Sequence, residues 1–169
     1  MAYRRSLETR IATAVVELLA DGTFELDFEL SRGSLPVFKK ELLAETQVVV
    51  VPVRKEGGAI DRQRDQLRVD IGIAVAKSVG IGSTQRETEV EELLGLVEQL
   101  QDWISLRDNQ VLTLPAISNG VPAEIQPAHN ARFVPPFVCD PVFDSKALRE
   151  EGLFLSVSVF TYHFEALRV

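Results

Sequence analysis

The chain is short of the residues that mark most catalytic, metal-binding and secreted proteins. It has one cysteine, Cys139, so no internal disulfide can staple it. The first ten residues, MAYRRSLETR, are charged rather than apolar, and with a single cysteine this predicts an intracellular, reducing setting. No apolar run approaches the ~20 residues that a membrane-spanning helix needs. His129, Cys139, Asp140 and His163 are the candidate metal ligands, and none shows the close paired spacing of a metal site. His163 lies beside Tyr162 and Phe164 and reads as a half-buried structural histidine. There is no Gly-x-Ser-x-Gly elbow, and Cys139 has no activating base beside it, which predicts a small buried apolar role. Gly80 and Gly82 fall between a strand and a helix, where a phosphate loop would sit. No Gly-Lys-Ser/Thr follows them, and Glu87, Glu89, Glu91 and Glu92 crowd the helix start, so they predict a plain turn. No catalytic residue, metal ligand or cofactor site is expected.

Positive charge is also in deficit. Lysine and arginine number 18 against 25 aspartates and glutamates, a net charge of −7. That balance argues against a nucleic-acid binder working by phosphate neutralisation, and suits a surface that DNA passes without adhering.

What remains is an ordinary globular composition, 46 % hydrophobic and 25 % charged, in 169 residues, which predicts one domain over 1–169. Residues 4–20 carry Ile11, Val15, Leu18 and Leu19 at helical spacing and stop at Asp21-Gly22. Phe24, Leu26, Phe28 and Leu30 alternate with acidic residues, the pattern of a half-buried strand. Residues 35–45 predict a turn at Pro36 followed by some helical character. Strands are expected over 46–54, with Pro52 at an edge or bulge, and over 66–77. In the second, Leu67, Val69, Ile71, Ile73 and Val75 share one face, while Gly72, Ala74 and Ala76 make the other small enough to lie against another backbone. Together these form a hairpin arm over about 46–77.

A long helix follows over 83–107, with Thr84 and Glu87 as a capping box and a face of Val90, Leu93, Leu94, Val97, Leu100 and Ile104, bordered by Trp103. It is expected to pack across the hairpin. A proline-rich loop over about 108–142 holds six of the eight prolines and so predicts extended chain, with 131–139 as an irregular strand. A short helix in DSKALREEG leads to a strand in LFLSVSVFTYHF whose aromatic second face predicts that both faces are covered, in a central strand or in one at a subunit contact. The fold class predicted is α+β: a mostly antiparallel sheet with a long β-hairpin, packed against an N-terminal helix and a long central helix.

Between the hairpin strands lies a charged, glycine-containing insert, 55–65. With Arg54 at its border, Lys55, Arg62 and Arg64 face Glu56, Asp61 and Asp65, so the signs nearly cancel. Such a tip is either solvated surface or an arm that orders against a neighbour of complementary charge.

Three stretches carry a resemblance to a known family: IATAVVELLADG; RVDIGIAVAK followed by EVEELLGLVEQLQDWI; and DSKALREEGLFLSVSVFTYHF, with Asp144, Leu148, Arg149, Glu150, Phe154, Ser156, Thr161 and Tyr162. They cover about half the chain, and in them it resembles the tail terminator proteins of long-tailed bacteriophages, also called minor tail or head–tail joining proteins. The resemblance implies a structural virion protein, not an enzyme, forming a homo-oligomeric ring of six that caps the tail tube and joins it to the head–tail connector. DNA would pass through the lumen without specific binding, and the protein would be assembled in the host cytoplasm and reside in the neck or tail. The functional residues implied are interface surfaces, with Arg54, Lys55, Arg62 and Arg64 as candidate contacts to neighbouring protein rings. The proline-rich middle departs from the short connections of that pattern. Two other readings stay open: another neck or tail component (tail completion, tube or sheath-associated), and a small-molecule-binding domain or enzyme that uses 111–141 as a lid, with His129 and Asp140.

Overall fold

The computed structural model describes residues 6–33, 38–59, 64–80, 83–114 and 130–167. Helix α1 (Leu7–Ala20) starts where the Ser6 hydroxyl accepts the Thr9 backbone N–H, satisfying one of the free donors at the helix start. It ends at Asp21, whose N–H returns to Glu17 O at 3.2 Å, and Gly22 follows, as the sequence predicts. Ile11, Ala12, Ala14, Val15 and Leu19 make its buried stripe.

Six strands follow: β1 (Glu29–Arg32), β2 (Gln47–Ala59), β3 (Arg64–Ser78), β4 (Val111–Thr113), β5 (Asn130–Phe133) and β6 (Leu153–Leu167). They form one sheet in the order β1-β2-β3-β6-β5-β4. β1 pairs with β2 in parallel and every other pairing is antiparallel. With α2 (Ser83–Ser105) and α3 (Ser145–Glu151), the described chain is an α+β domain of three α-helices and a mixed six-stranded sheet. None of these helices is long and apolar enough to cross a membrane.

The registers assign the two faces. Ile71 stands opposite Pro52 and Phe160, Ile73 opposite Val50 and Ser158, and Val75 opposite Val48 and Ser156. This inner face holds Val48, Val50, Val69, Ile71, Ile73, Val75, Phe154, Phe160 and Tyr162 in one buried cluster with α1 and α2. Each fully buried side chain of this size contributes about 1.5–3 kcal/mol, which is why both helices settle here. Polar tethers reinforce the packing. Gln101 Nε2 donates to Ser158 Oγ at 2.9 Å, and Trp103 Nε1 donates to Leu18 O at 2.9 Å. The aromatic second face of 153–164 predicted a central strand or one at a subunit contact, and within the chain β6 lies between β3 and β5.

Four expectations are corrected. First, the alternation at 24–30 yields a strand only over Glu29–Arg32, because only that part finds a partner, the start of β2. Phe24, Leu26 and Phe28 still point inward, and the Phe24 ring packs edge-on to Trp103 at 6.3 Å. Second, much of the charged insert is strand. Lys55, Glu56, Gly57 and Gly58 pair with Val69, Arg68, Leu67 and Gln66, since each opposite residue offers a ladder partner. Third, α2 lies against β6 and α1, while α1 covers the hairpin strands; both are drawn by the same inner face. Leu96 joins Leu93, Val97, Leu100 and Ile104 in the buried stripe, and Val90 and Leu94 are only partly buried. Fourth, Thr84 is inside the helix, where its carbonyl accepts from Thr88 Oγ1 at 3.2 Å, so it is not the capping residue.

The proline-rich stretch contributes β4 and β5, which pair with each other. Residues 115–129 between them lie outside the described part. From Phe133 the chain runs along β6 through Val134 N to Thr161 O (2.8 Å), a bridge between Val138 and Val159, and Asp144 N to Leu155 O (2.8 Å). The peptide bonds before Pro136 and Pro141 in this run are cis. Asp144 caps α3 by accepting from Lys146 N and Ala147 N, and Gly152 ends the helix at φ 63°, a conformation in which a β-carbon would be strained. At Pro52 the expected bulge is present: the register shifts between Pro52 and Arg54, just past the last residue of β2 that β1 covers.

Candidate assembly interface

Catalytic groupings come first. Among the described residues, no three of His, Cys, Asp and Glu cluster closely enough to hold a metal ion. Cys139 is half-buried rather than buried, with Sγ 3.8 Å from Val142 O and 3.7 Å from Ser156 Oγ. Asp140 is exposed in the turn before Pro141, and His129 lies outside the described residues. The Gly80 turn is occupied by its own helix: Glu89 Oε2 accepts the Gly80 N–H at 3.2 Å, and Arg86 Nε donates to Gly80 O at 3.0 Å. In the described part of this turn the Gly80 N–H already has a carboxylate acceptor and is not open to a phosphate. A 390 Å³ cleft between the end of α1 and residues 22–30 is lined by Leu19, Phe24, Leu26, Phe28 and Leu30, with Asp27 as its charged residue. One carboxylate without a base or nucleophile beside it makes no acid–base pair.

The outer face of the sheet is different in kind. Its residues are the partners left over when the inner face is assigned, and among the described elements α1 and α2 lie on the other side. It divides in two. Toward the base of the hairpin are the rows Gln47–Ala76–Leu155, Val49–Ala74–Val157 and Val51–Gly72–Val159, the last extended by Val138. Gly72, Ala74 and Ala76 lie along β3, buried between valines on both sides. Val49 and Val51 are nearly covered, Leu155, Val157 and Val159 are half-covered, and Val53 and Val138 are 56 % and 57 % exposed. The bulge turns Val53 to this face, over Gly72.

Toward the tip the same face becomes polar. Arg54, Asp70 and Thr161 form one row, and Glu56, Arg68, His163 and Arg132 the next, continuing to Val111. Arg54 is ion-paired with Glu56, and Arg68 Nε is 3.4 Å from Asp70 Oδ1. Asp70 is only 8 % exposed and accepts from Thr161 Oγ1 at 2.7 Å, which offsets part of its desolvation. His163, half-buried as predicted, lies with Nδ1 3.2 Å from Gln66 Nε2.

The four arginines and lysines singled out from the sequence therefore do not form one cluster. Arg54 is on the outer face. Lys55, one residue on, is on the inner face, where Nζ is 3.2 Å from Glu8 Oε2 in the first turn of α1. Arg62 lies outside the described residues, and Arg64 is described only through its backbone pairing with Leu167. The residues that complete the polar rows, Arg68, Asp70, Arg132, Thr161 and His163, come from three strands far apart in sequence. Alternation in 66–70 puts Arg68 and Asp70 on one face, but nothing local sets the register that adds the others.

No protein-family model matches the chain, and no curated protein sequence is significantly similar to it.

Proposed function

We propose that the chain is a structural subunit of a virion: a tail terminator protein that closes into a homo-oligomeric ring, probed first for six copies, which caps the tail tube and joins it to the head–tail connector. It acts by assembly rather than by catalysis, in the neck or tail, after folding in the host cytoplasm. The observation that carries this reading is the open sheet with two different borders. At one side β1 covers β2 only as far as Val50, and residues 51–59 have no described strand beside them; at the other side β4 is the last strand. Unlike edges at opposite sides of one protomer can meet only head to tail, and a head-to-tail contact that closes makes a ring. Pro52, the bulge and the flanking Arg54 and Lys55 blunt the β2 edge against indiscriminate strand addition, as a protein that must pair with one specific neighbour requires. The net charge of −7 suits a lumen that DNA traverses without adhering.

The test is to add the purified chain to polymerising tail tubes and to measure tube length and end structure by electron microscopy. The expected result is tubes arrested at a fixed stage with a ring at one end. Tubes that grow unchanged, with the protein absent from their ends, would refute the reading.

A further inference from the structure

The outer face of the sheet is apolar and partly exposed beside its charged half, and it is distinct from the free edges that carry the ring reading. We propose that two copies of this chain pack outer face to outer face across a two-fold axis, through Val53, Val138, Val157 and Val159 and through the charged rows beside them.

Charge selects the occupant. Across β2 and β3, Arg54 stands beside Asp70 and Glu56 beside Arg68, so the signs alternate along each strand and between strands. A surface of that kind has no dominant sign with which to recruit a strongly acidic or strongly basic partner. Turned by half a revolution onto itself, it can set guanidinium groups against carboxylates, and a two-fold contact requires such self-complementarity. These groups are open to a partner even though they pair within the chain, since the Arg54 and Arg68 side chains are 61 % and 49 % exposed. Arg132, which no described carboxylate pairs, adds a donor at the end of the row.

Shape points the same way. Gly72, Ala74 and Ala76 are buried between the valines of β2 and β6, so the surface that a second copy meets is the exposed Val53 and Val138 with the half-covered Val157 and Val159. Two sheet faces pack about 10 Å apart by interdigitating such side chains. Water removed from Val53 and Val138, each more than half exposed, drives the association.

The test uses the full chain in sedimentation equilibrium over a concentration series, at low and at high salt. The expected result is a monomer–dimer equilibrium. Val138→Asp is expected to raise the dimer dissociation constant about tenfold or more without lowering the melting temperature at concentrations where the chain is monomeric, because Val138 is exposed in the monomer. Arg54→Glu is expected to weaken the dimer in the same direction and to reduce its salt dependence. Glu17→Lys is the control: it is exposed on α1, which packs against the inner face of the sheet, and is expected to leave the dimer intact. A chain that stays monomeric across the series overturns the proposal, and so does an assembly that neither Val138→Asp nor Arg54→Glu changes. A chain that dimerises in this way but does not cap tubes keeps this inference and sinks the ring reading; the converse result separates them the other way.

Discussion

Val53 lies over Gly72: a β-carbon placed on the glycine would stand 2.9 Å from Val53 Cγ2 and 3.3 Å from Val51 Cγ2. A branched valine cannot swing aside as a long side chain can. The glycine therefore lets the bulged residue fold back onto β3, and the pair joins the apolar and polar halves of the outer face.

Gly72→Ala is accordingly expected to destabilise the chain. Alanine gains about 0.5–1 kcal/mol in a strand over glycine, but overpacking costs about 1–3 kcal/mol, so a net loss of about 1 kcal/mol should appear in urea unfolding. Val53→Ala in the same chain should restore most of it, which distinguishes this contact from a general intolerance of the strand.

Gly95 is the opposite case. It sits in the middle of α2, where a β-carbon would meet nothing within 4 Å. Glycine inside a helix costs about 1 kcal/mol relative to alanine, and no neighbour requires it here. Gly95→Ala should raise the unfolding free energy by about 0.5–1 kcal/mol. An unchanged or lower value would show that the helix is not limited by backbone entropy at that point.

The Tyr162 hydroxyl is buried with no hydrogen-bond partner among the described residues, and burial pushes its ionisation above the ordinary tyrosine range. The sign follows from the neutral form being favoured in the fold. Below the unfolded value of about 10 both states hold the proton; above it only the folded state does, so stability falls as pH rises past about 10. Unfolding titrations on either side of that pH should show the decline. Tyr162→Phe should remove this contribution while leaving stability near neutral pH unchanged or slightly higher, since the lost group has no described partner.

Thr161 and Asp70 are coupled across β6 and β3 by a 2.7 Å hydrogen bond to a nearly buried carboxylate. Thr161→Val should cost about 1–2 kcal/mol, because the carboxylate loses a donor it cannot replace with water. Asp70→Asn should cost less when Thr161 is already valine than when it is threonine. A double-mutant cycle gives the coupling directly, and a value near zero would mean that Arg68 or solvent satisfies Asp70 alone.

Local chemistry made much of this fold legible. Asp21 and Gly22 end α1, DSKALREEG announces the short α3, and the apolar spacing of α2 and the alternation of β3 and β6 announce their faces, because each signal acts within a few residues. What only the tertiary structure decided is adjacency: that Lys55 reaches Glu8 while Arg54 faces the other way, that Phe24, Leu26 and Phe28 lack a strand partner, and that Arg68, His163 and Arg132 share a row. Register along a strand is set by how whole faces bury and by where a bulge falls, and a shift of one residue would exchange inner and outer side chains throughout. That choice belongs to the packed chain as a whole, so no short stretch of it could carry the answer.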